Sequence, residues 1–212
     1  MTHPASRPEL LRRRIVGGLA ATLALPVFIR HASAQATLRP TPAQTEGPFY
    51  PLKLPDDTDF DLLAQGKLRY TLGNTTWLSG AVTDTTGRPL RGAVVEIWQC
   101  DQQGHYHHPG DGGNADPAFQ GFGRAVAGGD GSYRFRTIRP AAYSGRTPHI
   151  HVKVKLAERE LLTTQLYVEG DPGNERDGLL RRLSAVDRSL ITVPFEAAAD
   201  GLQARFVIVV NA

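Results

Sequence analysis

From residue 76 to its C-terminus the chain is a succession of short β-prone runs, each closed by a turn signal, and a sequence broken this often has little room for long helices. Residues 76–82 make one run and residues 92–99 the next, joined by a hairpin-like turn over 84–89 that contains Gly87. Asp130-Gly131 marks another turn, ahead of runs at 133–136, 150–156, 161–168 and 204–210. The pattern predicts an all-β fold, an antiparallel β-sandwich core with long loops. One stretch, residues 172–186, reads as a short helix, with Leu179, Leu180 and Leu183 along one side and Asn174 as N-cap. Residues 56–68 show no period and read as loop. The insert 101–130 is dense in Gly, His and Asp, and loops of that length inside a compact domain carry function.

At 212 residues and 41% hydrophobic content the chain suits one packed domain. Its formal charge of +3 owes much to Arg7, Arg12, Arg13, Arg14 and Arg30, all within the first thirty residues. No Lys/Arg stripe remains beyond them, so nucleic acid is not an expected partner. Arg12-Arg13-Arg14, the apolar run 15–29 and Ala32-Ser33-Ala34 form the three parts of an export signal, with cleavage expected after Ala34. The apolar run is too short to span a bilayer comfortably, so no membrane attachment is expected after cleavage. The adjacent arginines resemble a twin-arginine signal, although the usual Ser/Thr before them and Phe-Leu after them are missing. The expected organisation is an export signal over 1–34, an extended arm with loops over 35–75 and the sandwich over 76–212, in an extracytoplasmic protein. The single cysteine, Cys100, allows no internal disulfide and reads as a buried small hydrophobe.

Chemistry concentrates in residues 141–154. His149 and His151 stand two apart on a strand, so both imidazoles leave one face and can meet one metal ion. The pair alone does not choose among Zn, Cu, Fe and Ni, and two half-buried strand histidines with ordinary hydrogen bonds explain it equally well. The other histidines of the chain beyond the signal, His105, His107 and His108, flank Tyr106 in the insert. Taken alone, that tract suggests adventitious metal binding. Taken with Tyr143, it offers two tyrosines and two histidines to one site. Two tyrosinates, two neutral imidazoles and one hydroxide cancel the charge of Fe(III), whereas Zn(II) or Cu(II) would leave the site negative, so the donor set favours ferric iron.

Eight stretches carry a family resemblance: Thr-Glu-Gly-Pro-Phe-Tyr-Pro at 45–51, Gly-Ala-Val-x-Asp-x-x-Gly-Arg-Pro-Leu at 80–90, Val-Glu-Ile-Trp-Gln at 95–99, Gly-His-Tyr at 104–106, Phe-Gln-Gly-Phe-Gly-Arg at 119–124, Asp-Gly-Ser-Tyr-Arg-Phe-Arg-Thr-Ile-Arg-Pro at 130–140, Arg-Thr-Pro-His-Ile-His at 146–151 and Thr-Gln-Leu-Tyr at 164–167. In order, they resemble the intradiol ring-cleavage dioxygenases, the family of protocatechuate 3,4-dioxygenase and catechol 1,2-dioxygenase. The resemblance implies a β-sandwich and an oxidoreductase that opens a catechol ring with both atoms of O2 to a cis,cis-muconate-type diacid. It implies Fe(III) held by Tyr106, Tyr143, His149 and His151, with Tyr143 and His151 axial. It also implies catalytic roles for Arg146, which stabilises charge on the ring, for Gln165 and for Tyr143 in proton transfer. Gly47 and Pro48 are placed with Arg146 against the substrate.

The chain departs from the pattern between Tyr143 and His149, where only five residues intervene and the tryptophan of the characterised enzymes is missing. The shorter connection leads us to expect a more open pocket and bulkier catechols. A non-catalytic exported module binding aromatics, sugars or metal is the competing reading. Oligomeric state is not legible, because family members include homodimers and pairs of unlike subunits.

Overall fold

The computed structural model describes Met1 and residues 37–212. The export signal and its expected cleavage after Ala34 lie outside the described residues. In chain order the strands are β1 (Ala64–Gln65), β2 (Leu68–Arg69), β3 (Thr75–Asp84), β4 (Val94–Trp98), β5 (Phe122–Val126), β6 (Ser132–Ile138), β7 (His149–Leu156), β8 (Arg159–Val168), β9 (Thr192–Val193), β10 (Glu196–Ala198), β11 (Gly201–Arg205) and β12 (Ile208–Val210). One sheet runs β10-β11-β3-β12 with β6 on the other edge of β3, and the second runs β5-β4-β7-β8-β9. These are the layers of the expected sandwich. Alternation along each strand supplies the core: Leu78 and Val82 of β3 and Phe135 of β6 belong to the same buried cluster as Val95, Ile97, Ile150, Val152 and Val154 of the second sheet.

The opposite face of the second sheet is also covered, and there the site is built. Cross-strand register aligns Phe122, Trp98, His151 and Gln165 in one row, with Arg124, Glu96, Lys153 and Thr163 in the row beside it. The N-terminal arm lies over this face. It is held by main-chain bonds from Thr41 N to Val209 O (2.9 Å) and Gln44 N to Thr163 O (2.9 Å). Lys153 pairs with Glu46 and sits 3.9 Å from the centre of the Tyr50 ring. Buried Glu96 accepts from the Tyr50 hydroxyl at 2.9 Å and pairs with Lys155 at 2.9 Å and Arg124 at 3.1 Å. The arm thus supplies partners to charges that would be costly to bury alone.

Four expectations need correction. The sheets are not wholly antiparallel: β11 and β12 run parallel to β3, and β9 runs parallel to β8. The run expected over 204–210 is broken at Phe206-Val207, because the buried Phe206 side chain and the bond from Tyr133 Oη to Phe206 O (2.7 Å) turn the chain there. Residues 172–186 form no single helix. They make short 3-10 turns at Pro172–Glu175 and Leu180–Arg182, and α1 spans Ala185–Ile191, capped by Ser184, whose hydroxyl accepts from Asp187 N. Asn174 is no N-cap; its amide donates to Val168 O at 2.8 Å and its oxygen accepts from Thr147 Oγ1 at 2.9 Å. Finally, residues 56–68 are not plain loop, since Leu62 and Leu63 enter the core and lead into the β1-β2 ladder.

Candidate metal centre and its surroundings

Two features of local backbone bring the site together. On β7, His149 and His151 share a face with their Nε2 atoms 3.2 Å apart, and both are wholly buried. Just before the strand, Ser144 (φ 44°) and Gly145 (φ 74°) take positive φ, and Arg146 N bonds to Tyr143 O at 2.7 Å. That is the pattern of a type I′ turn, and it sets Tyr143 beside Arg146 within the short connection. Tyr106 arrives from the insert. Its position is fixed by Tyr106 N bonding to Asp111 Oδ2 (2.7 Å) and by stacking on Phe49 of the arm (centroids 4.7 Å apart).

The four rings form a closed set. Centroid distances are 4.9 Å for Tyr106–Tyr143, 5.3 Å for Tyr143–His149, 4.8 Å for His149–His151 and 6.1 Å for Tyr106–His151. Trp98, across the strand from His151, stacks on its imidazole at 4.9 Å and 10° and holds the ring plane. His149 Nδ1 lies 2.6 Å from Thr147 O, which assigns the Nδ1 proton to that bond and leaves Nε2 a bare acceptor.

Electrostatics suits a cation. Burial, reinforced by the Arg146 charge and opposed by the Thr147 carbonyl, pushes His149 down to about 4. Burial and the neighbouring His149 push His151 well below its ordinary value. Both imidazoles are therefore neutral, the form that ligates metal. Burial raises Tyr106 well above, and Tyr143 above, the usual phenol value. Among the described residues, Tyr106 Oη and His151 Nδ1 are buried without a hydrogen-bond partner. A cation among the rings gives the orphaned phenol oxygen and the facing Nε2 atoms a common partner, so the residues present fit a metal.

The His-rich tract does not converge on a second centre. His107 Nε2 lies 2.5 Å from Phe119 O and 3.0 Å from Asp116 O, and His108 Nδ1 accepts from Gly110 N. Among the described residues, no group of three or more His, Cys, Asp or Glu is placed to hold a metal ion.

Beside the rings, Arg146 donates from Nε to Asp177 Oδ2 (2.6 Å) and from Nη2 to Gln165 Oε1 (2.7 Å) and Tyr167 Oη (3.2 Å). Gln165 Nε2 donates to Thr45 O at 3.0 Å, and Tyr167 Oη bonds to Gln44 Oε1 at 2.7 Å, which ties the arm into the same network. Gly47 approaches His151 so closely that a Cβ would stand 3.2 Å from Cε1; Pro48 follows it, exposed. Tyr143, Arg146 and Thr147 open onto a cleft of about 510 Å³ also lined by Gly173 and Arg176. A larger concavity, about 1110 Å³, lies on the outer face of the other sheet, among Trp77, Arg134 and Arg205, and none of the four rings lines it. Sequence reasoning missed Asp177, which lies in the stretch expected to be helical and stands instead between two 3-10 turns, and gave Phe49 and Tyr167 no role although both fall in the quoted motifs.

A family model described as dioxygenase matches residues 45–212. The chain belongs to the intradiol ring-cleavage dioxygenase family. It is 37% identical over 147 residues to the protocatechuate 3,4-dioxygenase beta chain of Burkholderia cepacia, covering 64% of this chain and 57% of that one. It is 33% identical over 153 residues to a hydroxyquinol 1,2-dioxygenase of Corynebacterium glutamicum, covering 62% and 47%. The chain therefore spans about half the length of these curated relatives. Among solved structures, the dioxygenase domain of a dioxygenase–carbohydrate-binding protein fusion from the cellulolytic bacterium Streptomyces sp. SirexAA-E superposes with a TM-score of 0.66 at 33% identity, covering 82% of this chain and 99% of that one. An intradiol ring-cleavage dioxygenase from Tetranychus urticae shares the fold (TM-score 0.67, 21% identity, coverage 82% and 94%).

Proposed function

We propose that this protein is an exported non-haem Fe(III) intradiol dioxygenase that opens a catechol-type ring with O2 to a cis,cis-muconate-type diacid. The observation that carries the reading is the meeting, in a chain of this family, of two neutral imidazole nitrogens with one buried and one half-buried phenol drawn from separate segments. Tyr106, Tyr143, His149 and His151 would hold the metal. Ferric iron, when bound there, would supply Lewis-acid activation of the catechol substrate toward O2.

The chain's own residues prepare that chemistry. Both phenols are held protonated by burial, so their ionisation accompanies arrival of the cation. Thr147 O and the Trp98 ring fix the tautomer and plane of the two histidines. Arg146 is kept charged by Asp177 against the cost of burial and presents a fixed dipole and charge where negative charge develops on a bound ring. Gln165 orients Arg146 Nη2. Tyr143, the more exposed of the two phenols, lines the cleft and is placed to take up a proton at Oη from an incoming diol. Gly47 lets the arm close over His151, with Pro48 beside it, and the walls of Phe49 and Trp98 keep water out.

The relatives' names share a catechol nucleus and differ in its substituents. The tight turn from Tyr143 to Arg146 and the open cleft beside it support a site for bulkier catechols, and residues 1–34 support export to meet them outside the cytoplasm. Oxygen uptake by iron-loaded protein over a panel of catechol, protocatechuate, hydroxyquinol and larger substituted catechols tests both parts. Uptake with the larger members is expected. Turnover confined to small free catechols contradicts the open site, and no uptake with any member overturns the activity.

A further inference from the structure

We propose that Asp177 is the positioning residue that turns Arg146 into a fixed donor with one free edge facing the substrate, an assignment that rests on the dioxygenase reading above. Asp177 is 1% exposed and stands between the two 3-10 turns that follow β8. Three backbone amides pin its carboxylate: Thr147 N to Oδ2 at 3.2 Å, and Leu179 N and Leu180 N to Oδ1, each at 3.0 Å. A carboxylate anchored this way does not follow its partner, so the guanidinium takes the position the carboxylate dictates.

Arg146 meets it through Nε at 2.6 Å and, more weakly, through Nη2 at 3.5 Å, while Nη2 also reaches Gln165 Oε1 and Tyr167 Oη. Those bonds consume Nε and Nη2. Nη1 has no acceptor among the described residues and is the edge left for a ligand. The I′ turn sets Arg146 beside Tyr143, and both residues line the cleft in which a ligand would meet that edge. Burial alone would raise the Asp177 carboxyl, but the bonds from Arg146 and the amides of Leu180 and Thr147 hold it below the usual carboxylate range. The pair is thus a compensated ion pair whose geometry, rather than its net charge, is offered to the substrate.

Asp177→Asn keeps the anchor to its own loop, because an amide of the same shape still accepts from Leu179 N and Leu180 N at Oδ1, but its Nδ2 accepts from neither Arg146 Nε nor Thr147 N. The experiment is a double-mutant cycle in iron-loaded protein with Asp177→Asn, Arg146→Gln and the double variant. It reads catechol affinity without O2, kcat and KM under O2, and the visible iron band. Expected are a fall in kcat of about 10–100-fold in Asp177→Asn, with KM moved less, an unchanged visible band, and no further loss when Asp177→Asn is added to Arg146→Gln. Effects that multiply across the cycle, or a wild-type kcat in Asp177→Asn, overturn the proposal. If Asp177→Asn does not fold, Arg146→Lys replaces it: a lysine keeps the charge but cannot span Asp177 and Gln165 together. The same loss in kcat is then expected, and a wild-type kcat there overturns the proposal. A wild-type protein that binds iron and catechol without taking up O2 refutes the dioxygenase reading instead, and the cycle is then scored on catechol affinity.

Discussion

Gly47 has φ +74°, and a Cβ built on it would lie 3.2 Å from Cε1 of His151. Gly47→Ala therefore strains the backbone and presses the arm away from the imidazole. The expected cost is about 1–2 kcal/mol of stability, read as a lower urea midpoint together with weaker iron retention; an unchanged midpoint and full iron content contradict the contact. His149 makes a pH prediction. Its folded value near 4, set first by burial and then by the Arg146 charge, lies below the ordinary histidine value of 6.5. Between those limits the unfolded chain binds the proton that the folded chain refuses, so stability is lost as pH falls through the window, by on the order of 3 kcal/mol in all. Iron-free protein melted at pH 7 and pH 4.5 should show that loss, and the slope should shrink in His149→Gln. Equal slopes in the two proteins contradict the assignment. Cys100 behaves as its isolation in the sequence suggests: it is buried, with its thiol pushed up to about 12 chiefly by burial.

The strand that carries the two histidines, β7, was readable because β-prone runs and turns alternate so regularly. Misread elements share a physical cause, namely tertiary contacts that outweigh local pattern. Residues 172–186 have helix-like leucine spacing, but the amides of Leu179 and Leu180 are drawn to Asp177 and the Asn174 side chain is spent on Val168 and Thr147. Residues 204–210 look like one strand, yet β11 and β12 meet β3 at separate stretches, with Gly80 opposite the break. There Phe206 O comes so near that a Cβ on Gly80 would lie 1.7 Å from it. Gly80→Ala must push two strands apart, and the expected destabilisation is about 3 kcal/mol or more, measured by denaturant unfolding. A cost below about 1 kcal/mol contradicts this packing.

Over the whole molecule, the site is an assembly of distant pieces: the arm supplies Gln44 to Phe49, the insert Tyr106, the I′ turn Tyr143 and Arg146, β7 the histidines, β8 Gln165 and Tyr167, and the following loop Asp177. Residue chemistry and the order of motifs singled out Tyr106, Tyr143, His149, His151 and Arg146, which the fold brings side by side, since hard phenolates and paired imidazoles point to one kind of metal. The support for Arg146 was not legible, because the carboxylate of Asp177 meets Arg146 and Thr147 only when its loop closes on the turn that precedes β7. The central claim is that Tyr106, Tyr143, His149 and His151 form one ferric centre, and a visible spectrum with an iron assay on purified wild-type and Tyr106→Phe protein tests it most directly. The account predicts one iron per chain and a wine-red tyrosinate-to-iron band that is strongly reduced by Tyr106→Phe; a colourless wild-type protein without iron, or a band indifferent to Tyr106, would contradict it.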